Sequence, residues 1–132
     1  MLKDIPNLKV TDVAIAIVPR DDEEDFWDVY LVNLKDKPLV NVLVRSQGYG
    51  EVEGVERRTT TLRHLFEHIA PQTGVKIEPI QTRVFHMTNE YWISFTLDDY
   101  LYEKKFFFVP ESITKDYLSN IPALGRQGVV IK

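Results

Sequence analysis

The chain has 132 residues, a formal net charge of −4, no cysteine, 44% apolar residues and 27% charged residues. That length suits a single domain over residues 1–132 with a real core, and the proportions are ordinary for a globular protein. The acidic balance argues against general nucleic-acid binding, and the lack of cysteine excludes disulfides, thiolate metal sites and cysteine nucleophiles.

In chain order, residues 1–11 read as an irregular lead-in whose Ile5, Pro6 and Leu8 tuck against the body. MLKDIPNLKV holds no apolar run of signal-peptide type, and no stretch is long and apolar enough to span a bilayer. The expectation is a cytoplasmic protein without a membrane partner. Val13, Ile15 and Ile17 alternate with Ala14 and Ala16, which predicts a first strand ending at Pro19. Arg20 to Asp25 reads as a solvated charged loop.

Phe26 to Gly50 reads as a hairpin around which the rest is organised. Trp27, Val29 and Leu31 share one face of its first strand, because successive side chains point to opposite sides. Asn33 to Lys37 suits a turn, and Pro38 opens the return strand, where Val40, Val42 and Val44 share a face. Glu51 to Thr60 follows as a polar edge ribbon, with a bulge expected at Gly54.

Leu62, Leu65, Phe66 and Ile69 fall at i, i+3, i+4 and i+7, the pattern of one helical face. The spacing predicts a short crossover helix over 62–69, with Thr61 as N-cap and Pro71 as its stop. Val75 and Ile77 continue as a strand. Tyr91 to Leu97 and Tyr100 to Val109 then form a second hairpin across Asp98-Asp99. Phe106, Phe107 and Phe108 make its return strand apolar on both faces, so it should be covered on both sides or abut another chain. Ser112 is a candidate cap for a helical turn carrying Ile113, Tyr117 and Leu118, and Val129 to Ile131 a last short strand. The sum is a mainly β chain of about seven strands and one helix. It predicts a two-sheet antiparallel sandwich, loosely immunoglobulin-like, with a curved half-barrel as the alternative.

His64-Leu65-Phe66-Glu67-His68 matches H-x-x-E-H. On a helix, His64 and His68 can hold one zinc with Glu67 as base on the metal-bound water, as in the inverted zinc-peptidase motif it resembles. A third ligand would come from His86 or Glu90. The competing reading is an exposed helix with two incidental histidines, and no cofactor is expected. Arg57 and Arg58, followed by Thr59, Thr60 and Thr61, form a candidate anion site ahead of that helix. The competing reading is a threonine-rich edge strand with two solvated arginines. Tyr91, Trp92, Tyr102 and Phe107 form a candidate surface for a protein partner or a second copy of the chain, set against plain core packing.

The strings TLRHLFEHI, KIEPI, NEYWISF and KKFFFVPESI resemble a short family of uncharacterised proteins of similar length. Members sometimes carry the automatic label phenylalanyl-tRNA synthetase alpha subunit. The resembling strings are structural, so the resemblance implies no catalytic or binding residue. A class II synthetase catalytic domain also needs a larger sheet with its own ATP-binding arginine motifs. The expected function is a non-catalytic binding or assembly module, with self-association as one form of it. A small metal-dependent hydrolase is one alternative. A small-ligand carrier with a pocket lined by Phe66, Trp92 and Phe106 is the other.

Overall fold

Ten strands pair into two antiparallel sheets of five that pack face to face in a computed structural model describing residues 9–132. The expectations for Ile5, Pro6 and Leu8 lie outside the described residues. The first sheet contains β1 (Val13–Pro19), β2 (Phe26–Asn33), β6 (Thr73–Gln81), β9 (Ser119–Ile121) and β10 (Arg126–Ile131), in the order β6-β2-β1-β10-β9. The second contains β3 (Leu39–Val52), β4 (Val55–Arg58), β5 (Leu62–Ile69), β7 (Thr88–Leu97) and β8 (Tyr100–Phe108). Its order is β4-β3-β7-β8, and β5 follows β4 along the same edge of β3. Among the described residues no helix is long and apolar enough to cross a membrane.

The core lies between the sheets. Ile15, Ile17, Val29 and Leu31 face Val42, Val44, Ile93, Phe95, Phe106 and Phe108, and all are buried. The first sheet is also covered on its outer side. There Ala14, Ala16, Val18 and Val32 pack with Ile121 of β9 and with Ala123 and Leu124 of the β9–β10 turn. Cover on both faces explains why Val13 to Val18 are all buried although small and large side chains alternate along β1.

The first expected hairpin does not form. β2 and β3 stand in different sheets, and Leu34 to Pro38 carries the chain across. Both edges of β2 are taken, by β1 and β6, so no edge remains for β3. The crossing is held by Asn33, whose fully buried amide donates to the carbonyls of Lys37 (2.9 Å), Ile69 (3.2 Å) and Ala70 (3.2 Å). One side chain therefore ties together two of the four crossovers between sheets, β2–β3 and β5–β6.

Residues 62–69 form strand β5 and not a helix, so Thr61 caps nothing. Eight residues make too short a helix to stand alone, and pairing along β3 from Leu39↔Ile69 to Ser46↔Leu62 satisfies the same backbone groups. The misleading helical spacing has a geometric origin. Facing residues Asn41 and Glu67 mark a change of parity in both strands, with Asn41 in the left-handed region at φ 52°. Phe66 and Ile69 both turn inward although they are three apart, and Leu65 is left 72% exposed. The same irregularity corrects the expectation for Val40, which lies outward while Leu39 is buried.

Ten strands arise where about seven were expected. The helix is a strand, the ribbon 51–60 divides between the end of β3 and β4, and Ser119–Ile121 pairs with β10. Gly54 makes no bulge; Glu53 and Gly54 form a two-residue turn with both φ angles positive. Asp98 and Asp99 turn in the same way, and the β7–β8 hairpin forms as expected. Alternation buries Phe106 and Phe108 and turns Phe107 outward, so only one face of β8 is covered. The turn at Lys115–Tyr117 is capped by Thr114 and not by Ser112.

Candidate functional site

β5, at the edge of the second sheet, and β6, at the edge of the first, approach along one seam of the sandwich. Four polar side chains from four strands meet there: Ser46 of β3, His64 of β5, Glu78 of β6 and Tyr91 of β7. His64 Nε2 lies 2.7 Å from Glu78 Oε1, and Ser46 Oγ donates to the same oxygen at 2.8 Å. Tyr91 donates to Oε2 at 3.4 Å. The Glu78 side chain is only 10% exposed and Ser46 and Tyr91 are buried. Burial, together with the neighbouring Glu78 charge, holds the Tyr91 phenol well above its ordinary range, so it stays a proton donor.

A cleft of about 710 Å³ opens over this group. Glu78 and Tyr91 line its base. Its rim carries Arg57 and Arg58 from β4, Arg83 from the turn after β6, and His86. Gln47, Gln81 and Asn89 supply further polar groups. Arg58 pairs with Glu56 at 3.2 Å and lies 5.5 Å from the Tyr49 ring centre. Among the described residues no carboxylate lies within ion-pair distance of Arg57 or Arg83. The strip above β4 is anchored at Thr59, whose hydroxyl accepts from Gly48 N at 2.8 Å. A Cβ on Gly48 would stand 3.0 Å from Thr59 Cγ2 and 3.1 Å from Asn89 Oδ1, so a side chain there would have to displace Thr59 and Asn89 by a few tenths of an ångström.

The chemistry of the group is that of a held carboxylate. Ser46 donates to Glu78 and not to His64, so the serine–histidine contact of a hydrolase triad is not made. His64 and His68 do not converge. A strand sets residues four apart at about 13 Å, at roughly 3.3 Å per residue. His64 pairs with buried Val44, whereas His68 pairs with exposed Val40. Among the described residues no three His, Asp or Glu side chains gather as a metal site.

Of the candidate anion residues, Arg57 and Arg58 line the cleft and Thr61 does not; Thr59 and Thr60 do. The candidate partner surface divides. Tyr91 is in the core, and Tyr102 stacks on Phe95 with ring centres 5.3 Å apart. Only Trp92 and Phe107 turn outward, with Arg45 at 4.0 Å and Lys105 at 4.9 Å over the Trp92 ring. Alternation separates Tyr91 from Trp92: neighbouring residues of one strand cannot share a face. Phe66, Trp92 and Phe106 line no common pocket, since Trp92 and Phe106 lie on opposite faces of the sheet.

Sequence reasoning missed Glu78, Ser46, Arg83 and Asn89. A carboxylate between Ile77 and Ile80 in a strand was the available signal, since a charge placed among core positions needs partners. No protein-family model matches the chain, and no curated protein matches it in sequence.

Proposed function

We propose that this chain is a non-catalytic binding module of immunoglobulin-like design, and that the cleft over Glu78 is its ligand site. Strand order supports the design. β1-β2-β6 run as strands A, B and E of an immunoglobulin sheet, and β3-β7-β8 as C, F and G. β4 and β5 occupy the extra edge position beside C. The β9–β10 hairpin beside β1, the lack of cysteines and the lack of a tryptophan on β3 are departures from that pattern.

The ligand is an anion. The observation that carries this is the pair Arg57 and Arg83, two rim cations without a carboxylate partner among the described residues, in a chain of net charge −4. Guanidinium groups bind carboxylate and phosphate through paired donors, and a concave wall strengthens that attraction by excluding water. Calorimetric titration with pyrophosphate tests it. Arg57→Ser and Arg83→Ser should each weaken binding by about tenfold, the loss of one charge-assisted contact. Binding unchanged in both variants would refute the site.

A second reading, self-association or protein binding, is favoured by the outer face of the second sheet. Leu43, Leu65, Leu101 and Phe107 are each more than two-fifths exposed around Trp92. A monomer in sedimentation equilibrium at high concentration would remove the self-association form of it.

A further inference from the structure

Glu78 is the wrong residue to find beneath three arginines if the ligand carries negative charge alone. A carboxylate whose side chain is 10% exposed repels a phosphate or carboxylate brought down to it, and that repulsion is screened little away from bulk water. Its two oxygens are also unequally occupied. Oε1 takes short contacts from both Ser46 and His64, at 2.8 and 2.7 Å. Oε2 has one contact among the described residues, the Tyr91 hydroxyl at 3.4 Å, near the limit of a hydrogen bond. Ser46 and His64 thus fix the carboxylate from one side and leave acceptor capacity on the other oxygen of a residue that lines the cleft.

We infer that the cleft takes a zwitterion, a phosphorylated or carboxylated primary amine whose anionic end lies among Arg57, Arg58 and Arg83 and whose ammonium donates to Glu78 Oε2. This rests on the anion-binding reading above and narrows it. The ammonium adds a second, charged donor at Oε2 beside the long Tyr91 contact and cancels the charge that an anion alone would meet. A quaternary amine carries the charge without an N–H, so it satisfies the field and not the hydrogen bond. The carboxylate is held before the ligand arrives, which lowers the ordering cost of binding.

The test is calorimetry on the full chain with four probes: phosphoethanolamine, phosphocholine, inorganic phosphate and ethanolamine. Phosphoethanolamine should bind about tenfold tighter than phosphate or phosphocholine, the worth of one charge-assisted hydrogen bond. Ethanolamine alone should bind weakest. Glu78→Gln should erase the preference for phosphoethanolamine and leave phosphate binding as tight or tighter. Competition by vesicles containing phosphatidylethanolamine would assign the amine to a lipid headgroup, and its absence to a free metabolite; both outcomes support the inference. Equal binding of phosphoethanolamine, phosphocholine and phosphate to the unaltered protein overturns it without any variant and leaves the anion reading standing. No binding of any phosphate probe overturns both.

Discussion

His64 on β5 and Glu78 on β6 face each other across the seam between the two sheets, with Nε2 2.7 Å from Oε1. The strands that carry them belong to different sheets, so this contact joins the sandwich where its hydrogen-bonded ladders stop. It also fixes the carboxylate under the cleft. Removing the imidazole should therefore loosen both. His64→Leu is expected to destabilise the fold by about 1.5–3 kcal/mol, the range for a hydrogen bond to a charged group. Urea denaturation measures it, and an unchanged midpoint would show that the contact contributes nothing.

Asn33 should matter more. Its two amide N–H groups are shared among three carbonyls across two crossovers, and it is fully buried. Asn33→Ala leaves buried carbonyls without partners and should cost about 2–4 kcal/mol. Asn33→Asp should cost at least as much, because an ionised carboxylate offers no donor to the carbonyls of Lys37, Ile69 and Ala70. Denaturation curves of the two variants settle the order.

Gly74 is constrained from outside its own strand. A Cβ there would stand 2.3 Å from Leu124 Cδ2, in the turn that covers the outer face of the first sheet. Gly74→Ala should destabilise by about 1–3 kcal/mol through overpacking. Leu124→Ala should relieve most of that penalty in the double variant, giving a coupling of about 1 kcal/mol or more. Strictly additive effects would show that the turn shifts freely.

Acid should weaken the fold through Asp28. Burial pushes its carboxyl up, but hydrogen bonds and charges from Arg20 and Lys76 outweigh that and hold it below its ordinary value. A carboxyl depressed in the folded state contributes stability above its unfolded pKa and loses it as pH falls through the folded one. The loss should thus set in below about pH 4, the ordinary Asp range. Asp28→Asn should flatten that limb of the stability profile; an identical acid limb in the variant would assign the loss elsewhere.

The period of two was legible wherever a strand kept one parity. Tyr91 to Leu97 and Tyr100 to Phe108 show it, and Asp98-Asp99 marks their turn, so the second hairpin could be placed, although β7 starts three residues earlier, at Thr88. Residues 62–69 misled because parity changes between Phe66 and Ile69, which produces helical spacing in a strand. The separation of β2 from β3 was hidden for another reason. Local turn chemistry at Asn33 is the same whether the chain turns back or crosses over, and only the competition of β1 and β6 for the edges of β2 decides. The site was half legible. Arg57 and Arg58 drew notice as neighbours, but Ser46, His64, Glu78 and Tyr91 are far apart in the chain and join only through strand order.

Anions should bind at the seam cleft and not on the outer face around Trp92. Backbone amide NMR during titration with pyrophosphate tests it most directly. Saturable shifts are expected at Gly48, Arg57, Arg58, Thr59, Arg83 and His86 alone, with Trp92 and Phe107 unmoved. Shifts centred on Arg45, Trp92 and Lys105, or none at all, would contradict it.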